Sequence, residues 1–343
     1  MCLRWCAAFS AWGALLAAVQ PALAATRPHY GGTLRVEIRE NIETADPPET
    51  GRGLADLAGS FVITRWEAGR LAVYSAAENA PGGRPYLDTV EIQLARPLRD
   101  QQIDLELGKA DVAELAPGGS RGPAANRRIW TSAPVRLLAL VFSSRVTDAR
   151  VRQALALAVD RAAIHTVLLQ DQGEVTGALL PQWMSGYAFL FPAAADLNQA
   201  RTLAAAAPTA ARTLTLAVDD PGFRAIADRV ALNARDAGLA VSVTGRGAGA
   251  DLRLVEARIE SSAPAQALTG LAAALGLSPP APAPDSPEAW FAAESALLNA
   301  YRVIPLVHLP DVYGVGPRVK GGPGVAPMGA WRFGDLWVEG TRP

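Results

Sequence analysis

The stretch from Val146 to Leu180 constrains the fold of this chain more than any other. Its apolar residues recur at helical spacing and would form one buried stripe: Val151, Ala154, Leu155, Ala158, Ala162 and Leu168. Thr147 or Asp148 suits the first turn as a cap, and Gly173 suits the end. Asp148 and Arg152 lie four residues apart and are expected to pair on the solvent-facing side. By periodicity alone, this pattern predicts an amphipathic core helix.

Strands are predicted upstream of this helix. Leu34, Val36 and Ile38 alternate with charged residues, as in a strand with one buried face. The segment Phe61–Ser75 is predicted to form a hairpin, because two apolar runs flank a turn that contains glycine. A buried strand is predicted over Val135–Phe142, directly before the helix.

The second half of the chain contains a strand–helix–strand unit. Its strands are predicted over Thr213–Val218 and Leu239–Val243, and its helix over Pro221–Ala237. The short connections favour a parallel pair with a right-handed crossover. Asp219 and Asp220 lie at the strand-to-helix turn and are expected to cap the helix, since negative groups favour helix N-termini. The chain is therefore predicted to belong to the α/β class.

Three further elements are predicted toward the C-terminus. Asp251–Val255 could add another strand, and Val303–Leu309 has the pattern of a strand. Between them, Ser286 is expected to cap a helix that has Pro287 at its first position.

The first 24 residues are predicted to be a secretory signal. The apolar run Phe9–Leu23 is too short to prefer to span a bilayer, and Ala22-Leu23-Ala24 is the small-x-small pattern of a signal peptidase site. Cleavage after Ala24 is favoured, and an uncleaved anchor is the alternative. Cys2 and Cys6 both lie inside this segment, so the mature chain would have neither a disulfide nor thiolate chemistry.

Composition and motifs argue against several classes of function. The formal net charge of −1 lacks the basic excess that nucleic-acid binding needs. His29, His165 and His308 show no metal-ligand spacing, so neither a metal nor a cofactor is expected. A phosphate-loop motif is missing from the sequence. These observations favour a protein that is not an enzyme.

Several segments, in order along the chain, resemble the extracytoplasmic solute-binding proteins of peptide- and nickel-type ABC importers, called family 5. Residues 146–161 are similar to the family's V-x-D-x-R-V-R-Q-A-L-x-x-A-I-D-R helix. Other matches are the opening Gly31-Gly32-Thr33-Leu34 strand, Trp66-Glu67 with Gly69, the run Gly82 to Asp88, Asp111-Val112-Ala113, Val303 to Leu306 with His308, and Pro317 to Gly321. The resemblance covers most of the mature chain.

Two stretches depart from the family pattern. The short connection Glu49–Leu57 and its neighbours stand where family members have a peripheral subdomain, which is predicted to be missing. The passage EARIESSAPAQALTG, from Glu256 onward, lacks the aromatic-rich D-x-x-D-P sequence that helps to line the cleft in the family. Both departures bear on ligand binding more than on the fold.

The resemblance implies a two-lobed periplasmic-binding-protein fold of the α/β class, with discontinuous lobes joined by a hinge. Residues 1–24 would be the signal, 25–142 plus 303–343 the first lobe, and 143–302 the second. A cleft between lobes is a favoured ligand site. The residues that the resemblance places at such a cleft are Asn41, Glu43, Trp183, Tyr187, Arg258, His308 and Tyr313.

The implied function is capture of a small solute, peptide-like in the first instance, in the periplasm. The protein would be a monomer that delivers its ligand to an ABC permease in the inner membrane, with no nucleic-acid partner. The alternative is a degenerate member that keeps the fold and acts as a partner-binding or sensor module. An exported hydrolase is a distant third.

Overall fold

The computed structural model describes residues 27–43, 57–118, 128–187, 190–191, 194–245, 249–281 and 284–339. The predicted signal, residues 1–24, lies outside these ranges, as do residues 49–56 of the short connection. Within these ranges, no helix is long and apolar enough to cross a membrane.

The described residues form thirteen strands, eleven of them in one large mixed sheet. The strands are β1 (Thr33–Glu37), β2 (Phe61–Glu67), β3 (Leu71–Ala76), β4 (Thr89–Gln93), β5 (Val112–Glu114), β6 (Arg128–Phe142), β7 (Glu174–Val175), β8 (Thr213–Val218), β9 (Ala240–Thr244), β10 (Leu252–Arg258), β11 (Val303–Val315), β12 (Val319–Lys320) and β13 (Trp337–Val338). The large sheet has the order β2-β3-β4-β1-β5-β11-β6-β10-β8-β9, with β7 against β11.

Nine α-helical segments lie within the same described ranges. They are α1 (Leu57–Ser60), α2 (Leu98–Glu106), α3 (Ala149–Ala158), α4 (Arg161–Ala163), α5 (Gln182–Ser185), α6 (Leu197–Ala206), α7 (Arg224–Asp236), α8 (Pro264–Ala274) and α9 (Pro287–Leu298). A π-helical segment, Ile164–Leu168, continues α4, and short 3₁₀ turns occupy Thr209–Arg212 and Pro221–Phe223.

Two separate apolar cores lie along the sheet. The larger core contains the Val135–Phe142 half of β6 and the Val303–Leu309 half of β11, together with the central helices. The smaller core contains β1 and β4, and it includes Trp130, Tyr313 and Val315 from the opposite halves of β6 and β11. The strands β6 and β11 therefore pass from one core into the other and connect two lobes.

The pairing of these two strands is irregular where the cores meet. β6 and β11 are antiparallel along their length, with register shifts between Leu309 and Pro310 and between Pro310 and Val312. The predicted lobe boundaries, at residues 142/143 and 302/303, lie instead at strand ends. The division of the chain at those positions stays a prediction, although the apolar contacts place residues 135–142 and 303–309 in the larger core.

The elements with clear alternation are found where the sequence predicts them. β2 and β3 form the hairpin, and Gly69 turns it with φ +63°. A Cβ atom on Gly69 would come within 2.6 Å of Asn41 Oδ1, so the turn requires glycine. β8 and β9 pair in parallel across α7, as predicted for the strand–helix–strand unit. Ser286 caps α9 by accepting a hydrogen bond from the Ala289 N–H at 3.3 Å.

The helix predicted from Val146 onward is shorter than expected. Asp148 is its N-cap and accepts from the Arg150 N–H at 2.9 Å, but α3 ends at Ala158. Asp160 then caps a second helix, accepting from the Ala163 N–H at 2.9 Å. The break arises because Val159 and Asp160 are extended, which begins a new helix at Arg161.

The predicted pairing of Asp148 with Arg152 is wrong. Arg152 is buried and donates to three main-chain oxygens, those of Val146 at 2.8 Å, Ala300 at 2.9 Å and Thr147 at 3.0 Å. Asp148 pairs with Arg150 instead. Arg152 turns inward because its guanidinium meets the carbonyl groups before α3 and the Ala300 carbonyl after α9, and the last of these contacts is not visible in any local pattern.

Candidate functional site

A cleft lies between the two lobes, at the carboxyl ends of parallel strands. In one lobe β1 and β5 are parallel, and Arg39 and Glu114 lie at their ends. In the other lobe β8 is parallel to β10, and Asp219 and Asp220 follow β8 directly. Ligands of α/β proteins bind outside the carboxyl ends of strands, so this edge is the first place to look for a site.

Arg39 connects the walls of the cleft. Its main-chain N–H and its Nε donate to Glu114 Oε2, at 2.9 and 3.1 Å, within its own lobe. Its terminal nitrogen pairs with Asp220 on the opposite wall. Burial alone would lower the pKa of the Arg39 guanidinium, but the charges of Glu114, Glu256 and Asp220 raise the pKa above its usual value. Arg39 is therefore a fixed positive charge at the centre of the cleft.

The two aspartates after β8 have different partners. Asp220 Oδ1 accepts from the Gly222 N–H at 2.8 Å and so caps the turn that leads into α7, as predicted. Asp219 was predicted to cap as well, but its carboxylate pairs with Arg253 on the neighbouring strand β10. Both carboxylates and Arg253 are partly exposed, so the charges of this wall remain accessible to a solute.

The Arg39–Asp220 pair lines two cavities. The first, of about 600 Å³, is lined by Arg39, Asp219, Asp220, Phe223, Arg253 and Glu256 among others. The second, of about 740 Å³, is lined by Arg39, Arg96, Pro97, Asp219, Asp220 and Gly222 among others. Cavities of this size suit small organic ligands.

A buried charge cluster lies behind the cleft, where β6, β10 and β11 run side by side. Arg136 is 6% exposed and pairs with Glu256 at 3.2 Å and Asp311 at 3.1 Å. Burial lowers the pKa of Arg136, but Glu256 and Asp311 outweigh it and raise the pKa. Because Glu256 also lines the first cavity, this cluster fixes one wall of the cleft to the connecting strands.

Two of the residues predicted to contact a ligand lie at this cluster. Arg258 donates to both carboxylate oxygens of Asp311, at 3.0 and 2.7 Å, and is only 10% exposed at its side chain. Tyr313 is buried in the smaller core, with its ring 4.5 Å from that of Trp331. Both side chains thus contact other protein groups in this structure, and their ligand roles stay a prediction.

Asn41 and Glu43 lie beyond Arg39 on the exposed segment after β1. The Asn41 amide donates to Glu43 Oε1 at 2.6 Å. The segment packs on the β2–β3 turn, where the Gly69 N–H donates to the Ile42 oxygen at 2.9 Å. Asn41 and Glu43 follow the cleft residue Arg39 in sequence, but neither of them lines the cavities described above.

His308 and Tyr187 belong to a buried polar cluster in the larger lobe, which we call the Glu294 clamp (Leu179, Leu180, Tyr187, Glu294 and His308). The N–H groups of Leu179 and Leu180 and the Tyr187 hydroxyl donate to the Glu294 carboxylate. His308 Nε2 lies 2.8 Å from the Leu179 oxygen. Burial raises the pKa of Glu294 to about 7 and lowers the pKa of His308 to about 4.

Trp183 lies close to this clamp on the surface. It is 45% exposed, and its Nε1–H donates to the Pro134 oxygen at 3.3 Å. Tyr187 packs edge to face on Phe291 at 5.2 Å. The seven predicted residues therefore fall into three groups, and the structure does not bring them together around one cavity.

Sequence reasoning missed the residues that line the cleft: Arg39, Asp219, Asp220, Arg253 and Glu256. A usable signal existed for Asp219-Asp220, which directly follow a strand predicted to pair in parallel, and Arg39 lies at the end of the first predicted strand. Among the described residues, no group of three or more His, Cys, Asp or Glu side chains could hold a metal ion.

Comparison with known families and structures places the chain in context. The model of the bacterial extracellular solute-binding proteins, family 5 (middle region), matches residues 12–281, well over half of the chain. This family consists of substrate-binding proteins and not of enzymes. No curated protein sequence matches the chain.

Solved structures of similar fold include three solute-binding proteins. AppA of Bacillus subtilis, an oligopeptide-binding protein in complex with a nonapeptide, is 15% identical, with a TM-score of 0.65 over 82% of this chain and 66% of AppA. A dipeptide-binding protein of Pseudoalteromonas in complex with Met-Leu is 14% identical, with a TM-score of 0.67 over 82% and 64%. NikZ of Campylobacter jejuni in complex with Ni(L-His) is 18% identical, with a TM-score of 0.65 over 81% and 67%.

This chain spans less than two thirds of the first two relatives, in keeping with a shortened form. The shared fold confirms the predicted two-lobed periplasmic-binding-protein architecture of the α/β class. Together with the family match over most of the sequence, it shows that the chain belongs to the bacterial extracellular solute-binding proteins of family 5.

Proposed function

We propose that this protein captures a small, peptide-like solute outside the cytoplasm and delivers it to an ABC permease. The observation that carries the proposal is the interlobe cleft, which presents charges of both signs on facing walls. Arg39 stands on one side, and Asp219 and Asp220 on the other. Clefts between lobes that close around a ligand are a common design of binding proteins.

A peptide-like solute suits these walls. Its carboxylate would meet a guanidinium, and its amino group would meet a carboxylate, in charge-assisted hydrogen bonds. AppA of Bacillus subtilis and the Pseudoalteromonas protein were solved with peptides, which supports the same ligand class here. The second relative's ligand, Met-Leu, is also of a size that the two cavities could hold.

The remaining parts of the proposal follow from the family. A periplasmic location, an inner-membrane permease as partner and a monomeric state are all proposed on that ground. The family match favours solute capture over the alternative of a partner-binding or sensor module. The departure at Glu256 onward changes the lining of the cleft, and it leaves a charged wall in place of an aromatic one.

Native mass spectrometry tests the proposal directly. The full chain is expressed with its own export segment, purified from the bacterial envelope, and weighed before and after denaturation and refolding. We expect a bound solute of low mass that is lost on refolding and regained from envelope extract. Adding the solute at a hundredfold excess over its Kd should stabilise the fold by about 2.7 kcal/mol. A protein that emerges empty, and that no envelope extract stabilises, would contradict the proposal.

A further inference from the structure

The Arg39–Asp220 ion pair is held on both sides by other contacts. Arg39 is anchored in its own lobe, since its Nε donates to Glu114 at 3.1 Å. Asp220 is anchored in the other lobe, since its Oδ1 accepts from the Gly222 N–H at 2.8 Å. Across the cleft, Arg39 Nη1 donates to Asp220 Oδ2, the carboxylate oxygen that is not used for capping.

The pair also lines both of the cavities that a solute could enter. The cavities of about 600 and 740 Å³ share Arg39, Asp219 and Asp220 as lining residues. If the pair parted, both charged groups would become available to a solute in either cavity. The side chains are 25% and 34% exposed, so water reaches the pair and screens it. Ion pairs with such access to water are weak and open readily.

We propose that this pair is an autoinhibitory contact, in which Arg39 and Asp220 occupy each other's ligand positions until a zwitterionic solute displaces them. The inference rests on the proposed function and adds how the site is regulated. A solute carboxylate would take the place of Asp220 on Arg39, and a solute amino group would take the place of Arg39 on Asp220. Both protein groups would keep their anchors, so the solute would enter as the lobes move apart.

A competing pair predicts changes of opposite sign when one partner is neutralised. Asp220→Asn keeps a capping side chain for Gly222 but releases Arg39. A ligand that carries only a negative charge should then bind more tightly, because it no longer competes with a carboxylate. A ligand that carries only a positive charge should bind more weakly, because its partner is lost. Arg39→Gln should give the reverse pattern.

The probes are three versions of one mixed dipeptide library: unmodified, N-acetylated and C-amidated. Bound members are quantified by mass spectrometry after equilibrium dialysis against the full chain. We expect the unmodified library to bind the wild type best. In Asp220→Asn, the acetylated library should gain about fivefold, which corresponds to about 1 kcal/mol. The amidated library should lose affinity in the same variant.

Asp228→Asn is the matched control. Asp228 pairs with Arg224 at 3.0 Å on the exposed face of α7, away from Arg39. This variant removes one carboxylate from a surface pair of the same kind, so it should leave the binding of all three libraries unchanged. A gain by the acetylated library in this variant would mean that net charge, and not the cleft pair, sets affinity.

A second readout needs no ligand. Spin labels on Arg99→Cys and Ala225→Cys, in a Cys2→Ser/Cys6→Ser background, report the distance between α2 and α7 across the cleft. Without solute, Asp220→Asn should widen the distance distribution relative to the wild type. The same distribution in both proteins would show that the pair does not hold the lobes together.

Several binding results would overturn the inference. It fails if Asp220→Asn shifts the acetylated and amidated libraries in the same direction, or shifts neither. It also fails if none of the three libraries binds the wild type or the variants. The proposed function is judged separately, by the solute recovered from the envelope, so the two failures can be told apart.

Discussion

The cleft pairs and the Glu294 clamp use similar polar groups in opposite surroundings. Arg39 and Asp220 are a quarter to a third exposed, and each has a second partner in its own lobe. Glu294 and His308 are fully buried and bond to main-chain groups of Leu179 and Leu180, and Glu294 also accepts from the Tyr187 hydroxyl. The difference teaches that access to water decides whether a polar contact can be exchanged for a ligand or fixes the fold.

The energetic consequences of the two arrangements differ accordingly. Ion pairs that water reaches contribute about 0–1 kcal/mol to stability, because water solvates the two charges when the pair is broken. A buried donor left without a partner costs about 1–3 kcal/mol. Substitutions should therefore separate the two regions into one that controls binding and one that controls stability.

The largest expected effect lies between the two regions, at Arg136. Arg136→Ala would leave the carboxylates of Glu256 and Asp311 without their shared buried partner. We expect a loss of about 3–5 kcal/mol in the free energy of unfolding, measured by urea denaturation. Arg150→Ala, at a surface pair with Asp148, is the control and should have little effect. Equal stability of both variants would show that the buried cluster does not hold the connecting strands.

The next effect is expected at the clamp. Glu294→Ala would leave the N–H groups of Leu179 and Leu180 buried without acceptors. The expected loss is about 2–4 kcal/mol in the free energy of unfolding, since two buried main-chain donors lose their acceptor. Glu294→Gln keeps an acceptor oxygen and should lose less. If the alanine variant is as stable as the glutamine variant, the clamp is not structural.

The clamp should also reveal itself in the pH dependence of stability. Glu294 has a pKa of about 7 in place of 4.5, so its contribution is present below pH 4.5 and is lost as pH rises through 7. His308 has a pKa of about 4 in place of 6.5, so its contribution is present above pH 6.5 and is lost as pH falls toward 4. Between pH 4.5 and 6.5 the two slopes oppose each other.

Single substitutions should uncover the separate slopes. Relative to the wild type, Glu294→Gln should lose stability as pH falls from 6.5 to 4.5, because only the His308 contribution remains. His308→Gln should lose stability as pH rises over the same window. Each titration changes the free energy of unfolding by about 3 kcal/mol over its full pKa shift. Thermal unfolding at half-unit pH steps measures both, and parallel curves for the two variants would rule out opposing titrations.

The smallest effect on stability is expected in the cleft. Asp219→Asn removes the pair with Arg253. In this pair the Arg253 side chain is 55% exposed and the Asp219 side chain is 40% exposed. The free energy of unfolding should change by about 1 kcal/mol or less. Binding of the unmodified dipeptide library, measured by dialysis, should nevertheless fall. A variant that loses stability but binds normally would place Asp219 in the fold and not in the site.

Local patterns predicted much of the fold. The first strand, the hairpin at Gly69 and the unit Thr213–Val243 were found because apolar and polar residues contrast strongly there. The helices Leu197–Ala206 and Pro264–Ala274 were missed, since their many alanines give little contrast. The full length of β6 was also missed, because its first half is defined by pairing with a distant strand.

The candidate site was less accessible from the sequence. Arg39 and Asp220 meet although 181 positions separate them, and only the parallel sheet brings them to one edge. Resemblance to the family directed attention to His308 and Tyr187, which the structure places in a buried clamp. Neighbours in space that come from different lobes follow from topology, which single-residue patterns do not encode.

Hydrogen–deuterium exchange of the full chain, with and without envelope extract, tests most directly that the cleft binds the solute. We predict protection by the extract in segments 38–40, 218–223 and 253–256, which contain the cleft residues Arg39, Asp219, Asp220, Arg253 and Glu256. Exchange in segment 176–187, which contains the clamp donors, should not change. Protection confined to segment 176–187, with an unaffected cleft, would contradict the account.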